Sequence, residues 1–239
     1  MTGWSPMFSQ SIPYYDKIYD FKDYQSEADH LLTIIRAYQQ TEGRQLLDVA
    51  CGTGGHIAYL KAHFDVQGMD VEADMVKLAR EKHPDVTFHQ GDMTAFDLHR
   101  QFDVITCLFS SIGYVKTVER LRQAIACMAA HLNAGGVLVI EPWFSPEQYF
   151  AGRVHARFIN EPDLKIVRMN TSVVEGRVSV IDFHYLIGTP KGTAHFVEHH
   201  ELGLFEPHET RQAFIDAGLK VTHLPEGLTD RGLFIGQKP

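Results

Sequence analysis

Apolar residues along this chain keep two alternating rhythms. Short apolar runs bounded by polar turns, QLLDVA, DVQGMD, VTFHQGD, FDVITCLFS and GGVLVIEPW, read as strands. Between them the spacing lengthens to helical. EADHLLTIIRAYQQ places Leu31, Leu32, Ile34, Ile35 and Tyr38 on one face, and EADMVKLAREKH does the same with Met75, Leu78 and Ala79. HIAYLKAHF reads as a further helix, and TVERLRQAIACMAAHL as a long one stopped by a turn over 133–136. FDVITCLFS is almost wholly apolar, as a strand covered on both faces must be. Strands and helices alternating on this scale predict a doubly wound parallel sheet.

From about residue 160 the rhythm shortens to strict alternation. LKIVRMNTSVV, a turn at Glu175 and Gly176, and RVSVIDFHYLI form a predicted β-hairpin, with AHFVEHHELGLF as a third strand. HETRQAFIDAG then reads as a helix ended by Gly218, and LKVTHL and GLFIGQK as closing strands. The expected organisation is one domain over 1–239: an arm and helix (1–40), a ligand-binding core (41–145), an antiparallel insertion at about 155–206, and a return to the core (207–239). No repeat or low-complexity segment interrupts it.

One stretch breaks the pattern. In LLDVACGTGGHI the first strand runs into Gly52, Gly54 and Gly55, where side chains are discarded just as the strand ends. A ligand lying against the backbone is the usual reason. The spacing is G-x-G-G, unlike the G-x-G-x-x-G of dinucleotide sites, and Asp48 stands just before it. A carboxylate there disfavours a diphosphate and favours a cationic ligand, such as a nucleoside carrying an amino acid and a sulfonium. Asp70 ends the second strand, where it can accept from both ribose hydroxyls. Asp92 ends the third, placed to accept from an adenine amine, with Met93 beside the ring.

Composition narrows the partners. The 239 residues carry a net charge of −8, which opposes nucleic-acid binding. Mean hydropathy is −0.16, and no apolar run approaches the roughly 20 residues that span a bilayer. No export signal is visible in MTGWSPMFSQ, and three cysteines without a CxxC pair suggest reduced thiols, so a cytoplasmic location is expected. His195, His199 and His200 read as solvated strand histidines, and no metal site is expected.

The constellation LLDVACGTGG, GMD, HQGDM and FDVITCLFSSIG resembles class I S-adenosylmethionine-dependent methyltransferases. KDY (22–24), FSSIGYVKT, GGVLVIEPW, the Glu175-Gly176 pair and RGLF add a closer resemblance, over nearly the whole chain. They are similar to the aminosugar N,N-dimethyltransferases that finish desosamine- and mycaminose-type sugars of macrolide antibiotics. That resemblance implies a Rossmann-like seven-stranded sheet, S-adenosylmethionine as cofactor, and a thymidine-diphosphate-linked aminosugar as acceptor. It implies Tyr15, Asp48, Ala50, Gly52, Gly54, Asp70, Asp92, Met93 and Phe109 around the cofactor. Tyr114 follows FSSIG, where the family carries an acceptor-loop aromatic or histidine, and is the expected catalytic residue. Tyr24, Ser111, Trp143, Arg168, Asn170 and Arg231 are the expected substrate contacts: Arg231 as the phosphate ligand, with Arg168 and Asn170 on one face of the hairpin either completing a diphosphate clamp or lying on an exposed sheet face. The tyrosines at 14, 15 and 19 fit a lid over the cofactor.

The sequence departs from that family at Thr229-Asp230, where serine-glycine is usual, at Phe144, and around Met7 and Phe8, where an N-terminal tyrosine is replaced. An ion pair with Asp230 or Glu226 is the alternative for Arg231, and packing over the cofactor is the alternative for Tyr114. Other classes remain open here: a methyltransferase of another small amine or hydroxyl acceptor, and a non-catalytic nucleotide-binding domain. A homodimer through the antiparallel insertion is a further expectation.

Overall fold

A computed structural model describes residues 10–239; the replacement expected around Met7 and Phe8 lies outside the described residues. A single helical turn, α1 (Tyr15–Ile18), leads to α2 (Tyr24–Tyr38). Asp23 starts α2 by accepting a hydrogen bond from Ser26 N at 2.9 Å, and the apolar stripe buries Ala28, Leu31, Leu32, Ile34 and Ile35. The core follows as β1 (Gln45–Val49), α3 (Ile57–Leu60), β2 (Asp65–Asp70), α4 (Ala73–Lys82), β3 (Thr87–Gln90) and β4 (Phe102–Cys107). Then come α5 (Val118–Ala130) and β5 (Leu132–Ile140).

After β5 the chain leaves the core for β6 (His155–Glu161), β7 (Leu164–Glu175), β8 (Val178–Thr189) and β9 (Gly192–Gly203), a four-stranded antiparallel sheet in sequence order. It returns through α6 (Pro207–Asp216), β10 (Lys220–Leu224) and β11 (Leu233–Gln237). The main sheet has seven strands in the order β3-β2-β1-β4-β5-β11-β10. Strands β1 to β5 pair in parallel, and β11 runs antiparallel to both of its neighbours. The alternating pattern predicts the doubly wound parallel sheet and its antiparallel insertion, the family resemblance implies the Rossmann-like seven strands, and all are present.

Alternation along the central strands splits the core in two. Leu47, Val49, Ile105, Cys107 and Leu138 face α5 and α6, while Leu46, Val104, Val137 and Val139 face α2 and α4. Strand order reverses between β1 and β4, and a ligand site belongs beyond the carboxyl ends of those strands. The insertion folds over that opening. Its inner face (Ile159, Ile166, Tyr185, Ile187, Phe196) packs on Ile18 of α1, while Phe158, Met169, Leu186 and Val197 on the outer face stay exposed.

Four local expectations need correction. HIAYLKAHF is helical only over Ile57–Leu60 and continues as turns into Phe64. The 133–136 turn is instead part of β5, because pairing with β4 already begins at Phe102 and Leu132 and a register shift absorbs the glycines. HARFINE forms β6, hidden from the pattern because only Ile159 of that strand is buried. His200 is not solvated: it lies on the inner face with 1% exposure. Among the described residues no helix is long and apolar enough to cross a membrane.

Candidate functional site

The backbone turns left-handed at non-glycine residues beyond both switch-point strands, with φ of 57° at Ala50, 52° at Phe109 and 61° at Ser110. An L residue held this way costs about 1–2 kcal/mol, so the surroundings must hold it. Glu141 does so after β4: its Oε2 accepts from Phe109 N at 2.7 Å, and Ser110 Oγ donates to the Pro142 carbonyl at 2.7 Å. After β1, Cys51 N donates to the Met69 carbonyl at 3.0 Å. Gly52, with φ of 53°, donates its N–H to Asp70 Oδ2 at 2.8 Å. Asp70 Oδ1 accepts from Glu72 N at 3.0 Å.

These turns floor a cavity of about 530 Å³ roofed by α1 and the insertion. Of the expected cofactor residues, Tyr15, Ala50, Gly52, Asp70, Met93 and Phe109 line it. Of the expected acceptor residues, Ser111, Tyr114, Trp143, Arg168 and Arg231 line it. Two narrow clefts extend the same space. One, of about 40 Å³, runs between Ala50, Asp92, Met93 and Tyr114. The other, of about 30 Å³, runs under Tyr15 and Gly52 to Asp48, Tyr24 and His56.

Three expected residues stand elsewhere. Gly54 (φ 82°) lines none of these spaces; a Cβ there would lie 2.8 Å from His83, so its smallness serves packing. Tyr24 opens on the Asp48 cleft rather than the main cavity, its ring edge-on to His56 at 4.9 Å. Asn170 shares a strand face with Arg168 but does not reach the main cavity; it borders a second groove, with Phe21, Phe158 and Arg168 itself.

Electrostatics differ between the two clefts. Asp48 is 2% exposed and accepts from Thr106 Oγ1 at 2.7 Å. Burial pushes its carboxyl up to about 6, against the pull of His56 and the Thr106 hydroxyl. Burial also raises Asp70, partly countered by the Glu72 and Gly52 N–H groups. Asp92 is different. Burial would raise it, but hydrogen bonds from Thr94 and the Arg120 guanidinium outweigh that, and its carboxyl ends below the usual range. The Asp48 side of the site is therefore a pair of buried carboxylates short of positive charge.

Two networks escaped the sequence reading. Lys22 Nζ lies 2.6 Å from both Glu27 oxygens and 4.2 Å from the Phe109 ring centroid, and Glu27 Oε2 meets His56 Nε2 at 2.8 Å. The second centres on Glu141, which is wholly buried. Its Oε1 accepts from Thr229 Oγ1 at 2.6 Å and Arg231 Nη2 at 2.9 Å. Arg231 thus pairs with neither Asp230 nor Glu226. EPW and RGLF flagged both partners, but no spacing rule joins residues 90 positions apart.

Tyr114 sits on the short turn of helix over Ser111–Val115 and its hydroxyl meets His200 Nδ1 at 2.8 Å. Burial raises the phenol well above its usual range. Arg168 lies between the Tyr19 and Phe183 rings, 5.1 and 5.0 Å from their centroids. Its Nη1 is buried and has no hydrogen-bond partner among the described residues.

A family model described as a methyltransferase domain matches residues 46–136, from β1 into β5. The chain is 42% identical over 217 residues to the dTDP-3-amino-3,4,6-trideoxy-alpha-D-glucopyranose N,N-dimethyltransferase of Streptomyces venezuelae, covering 90% of this chain and 91% of that one. Among solved structures, a sugar N-methyltransferase from Streptoalloteichus superposes with a TM-score of 0.90 at 35% identity, covering 100% of this chain and 96% of the other. An amino pentose methyltransferase from Micromonospora echinaspora, solved with S-adenosylmethionine bound, gives 0.86 at 34% identity, covering 99% and 100%.

Proposed function

From the premise that this chain belongs to the sugar N,N-dimethyltransferases, S-adenosylmethionine-dependent enzymes of class I fold, we propose that it dimethylates the amine of a thymidine-diphosphate-linked deoxyaminosugar. The observation that carries the acceptor class is Arg168: it lines the same cavity as Tyr114, between the Tyr19 and Phe183 rings, and its buried Nη1 has no hydrogen-bond partner among the described residues. A buried charged donor without a partner is costly, and phosphate oxygens would satisfy it. Arg231 is the weaker phosphate ligand of the two, because Glu141 already neutralises it.

The residues fit the cofactor. Gly52 leaves room for its amino-acid tail, the buried Asp48 and Asp70 favour its positive charge, and the Asp92–Met93 cleft has the place of the adenine. The bound cofactor supplies an electrophilic methyl activated by its own sulfonium charge. The chain's part is to align, desolvate and exclude water. Tyr114 accepts an N–H from the acceptor amine and aims the nitrogen lone pair. Tyr15, Tyr19 and Phe109 close the cavity around the reacting pair.

Ionisation of Asp48 gives a signed pH prediction. A carboxyl raised to about 6 makes a favourable contribution to folding at low pH that is lost as pH climbs through 6. For one buried carboxyl that is about 3 kcal/mol. Cationic cofactor reverses the cost by favouring the ionised form. Affinity for S-adenosylmethionine should therefore weaken as pH falls from 7 to 5, by at most about tenfold per unit below 6. Calorimetry across that range checks it, and Asp48→Asn should show weaker binding with the dependence flattened.

We further propose a cytoplasmic location, supported by three free cysteines, and a homodimer through the outer face of the insertion. The register supports the dimer: Phe158, Val167 and Leu186 stand side by side across β6, β7 and β8, with Met169 and Val197 exposed in the next row. A monomer mass in analytical ultracentrifugation at micromolar concentration would remove that reading. The acceptor reading is tested by comparing a nucleotide-linked aminosugar with the same free sugar. The linked form should react with kcat/KM at least about a hundredfold higher, the value of two charge-assisted phosphate hydrogen bonds; equal values would rule out a nucleotide carrier.

A further inference from the structure

Dimethylation poses a problem that monomethylation does not. The first transfer leaves the nitrogen as a secondary ammonium with no lone pair, so a proton must leave before the second methyl can arrive. Of the carboxylates that line the cavity, Glu27 is paired with Lys22 and His56, and Asp70 accepts from the Gly52 and Glu72 N–H groups; Tyr114 lines it too, its own phenol held protonated by burial. Behind it, on the inner face of β9, stands His200, which the cofactor and acceptor readings leave unused. Its ring is 1% exposed, its Nδ1 is 2.8 Å from the Tyr114 hydroxyl, and its Nε2 is 4.0 Å from Glu198 Oε2. Phe183 of β8 packs edge-on against it at 5.0 Å.

Resting on the N,N-dimethyltransferase reading, we propose that His200 is a positioning residue and proton acceptor that acts through Tyr114 and commits the enzyme to a second methyl transfer. A phenol that keeps its proton donates it to His200 Nδ1 and leaves its oxygen lone pairs facing the amine. After the first transfer, the ammonium N–H bond breaks toward Tyr114 Oη while the Tyr114 O–H bond breaks toward His200 Nδ1. The electron pair of the N–H bond stays on the sugar nitrogen, ready for attack, and the positive charge ends on the imidazole. Glu198 stands where it stabilises that charge. Its oxygens also take hydrogen bonds from Ser11 N at 3.0 Å and Ser11 Oγ at 2.6 Å, which fix its position. The other titratable groups about the pair are Tyr19, just after α1, Tyr185 of β8 and Asp70 of β2, which act on Tyr114, and Arg168, which sits on the Phe183 ring.

The test separates the two transfers. His200→Asn offers an acceptor oxygen near the Nδ1 position, and so holds Tyr114, but cannot take a proton. Its first transfer should stay within about threefold of wild type, while the second slows about a hundredfold, the lower range for lost proton-transfer help. Monomethylated product should accumulate, and cofactor affinity should not change. His200→Phe, which holds nothing, should slow both transfers and so separates orientation from proton uptake. A second readout needs no turnover: adding the monomethylated sugar nucleotide with S-adenosylhomocysteine to wild type should move the His200 ring ¹⁵N signals to imidazolium values. Wild-type dimethylation with an unchanged product ratio in His200→Asn, or a neutral His200 ring in that complex, overturns the relay and leaves the methyltransferase reading intact. Absence of methyl transfer to any linked aminosugar in wild type would overturn both.

Discussion

Gly52→Val is expected to lose S-adenosylmethionine binding by more than about a hundredfold while the chain stays folded. Two costs combine. Gly52 holds φ at 53°, a conformation worth about 1–2 kcal/mol against any L side chain and more against a β-branched one. If the backbone relaxes to escape it, the 2.8 Å hydrogen bond from Gly52 N to Asp70 is lost, worth about 1.5–3 kcal/mol to a charged acceptor. The valine also enters the space facing the Tyr15 hydroxyl, 3.9 Å from the first added carbon. Calorimetric titration reads the affinity and thermal melting reads the fold. Near-wild-type affinity would mean that the cofactor does not cross this turn.

Glu141→Ala should be the most destabilising single change in the site. The carboxylate is 0% exposed and accepts from Phe109 N, Thr229 and Arg231. Its removal leaves the largely buried Arg231 guanidinium, 14% exposed, without its carboxylate partner and releases the left-handed turn at Phe109. Breaking a buried pair from one side costs about 3–5 kcal/mol, or roughly 6–20 °C in Tm for a chain of this size. Turnover should fall with it, because Phe109 and Arg231 both line the cavity. Adding Arg231→Met should restore part of the lost stability, since no unpaired charge then remains. A loss under about 1 kcal/mol in chemical denaturation would show that the network holds nothing together.

The parallel core was legible because buried strands and amphipathic helices write their period directly into the chain: QLLDVA, DVQGMD and FDVITCLFS all form the strands they predict. β6 was not, since a strand with one buried residue carries no period. Gly52 and Asp70 were legible as cavity-lining residues because strand ends fix which side chains face the opening at the switch point. Long-range polar pairs were not. His200 joins Tyr114 across 86 positions, and it looked solvated beside His199 and His195 because alternation alone does not say which face of a sheet is covered. Arg231 showed a phosphate-binding type of side chain, but not the buried Glu141 that holds it.

Dimethylation requires this cavity to bring an aminosugar nitrogen and S-adenosylmethionine together twice. It is tested most directly by incubating the wild-type chain with S-adenosylmethionine and a thymidine-diphosphate-linked 3-amino-3,6-dideoxyhexose and weighing the product. The account predicts two methyl masses on one nitrogen and two equivalents of S-adenosylhomocysteine. An unmethylated nucleotide sugar across a panel of 3- and 4-amino acceptors, with S-adenosylmethionine bound but not consumed, would contradict it.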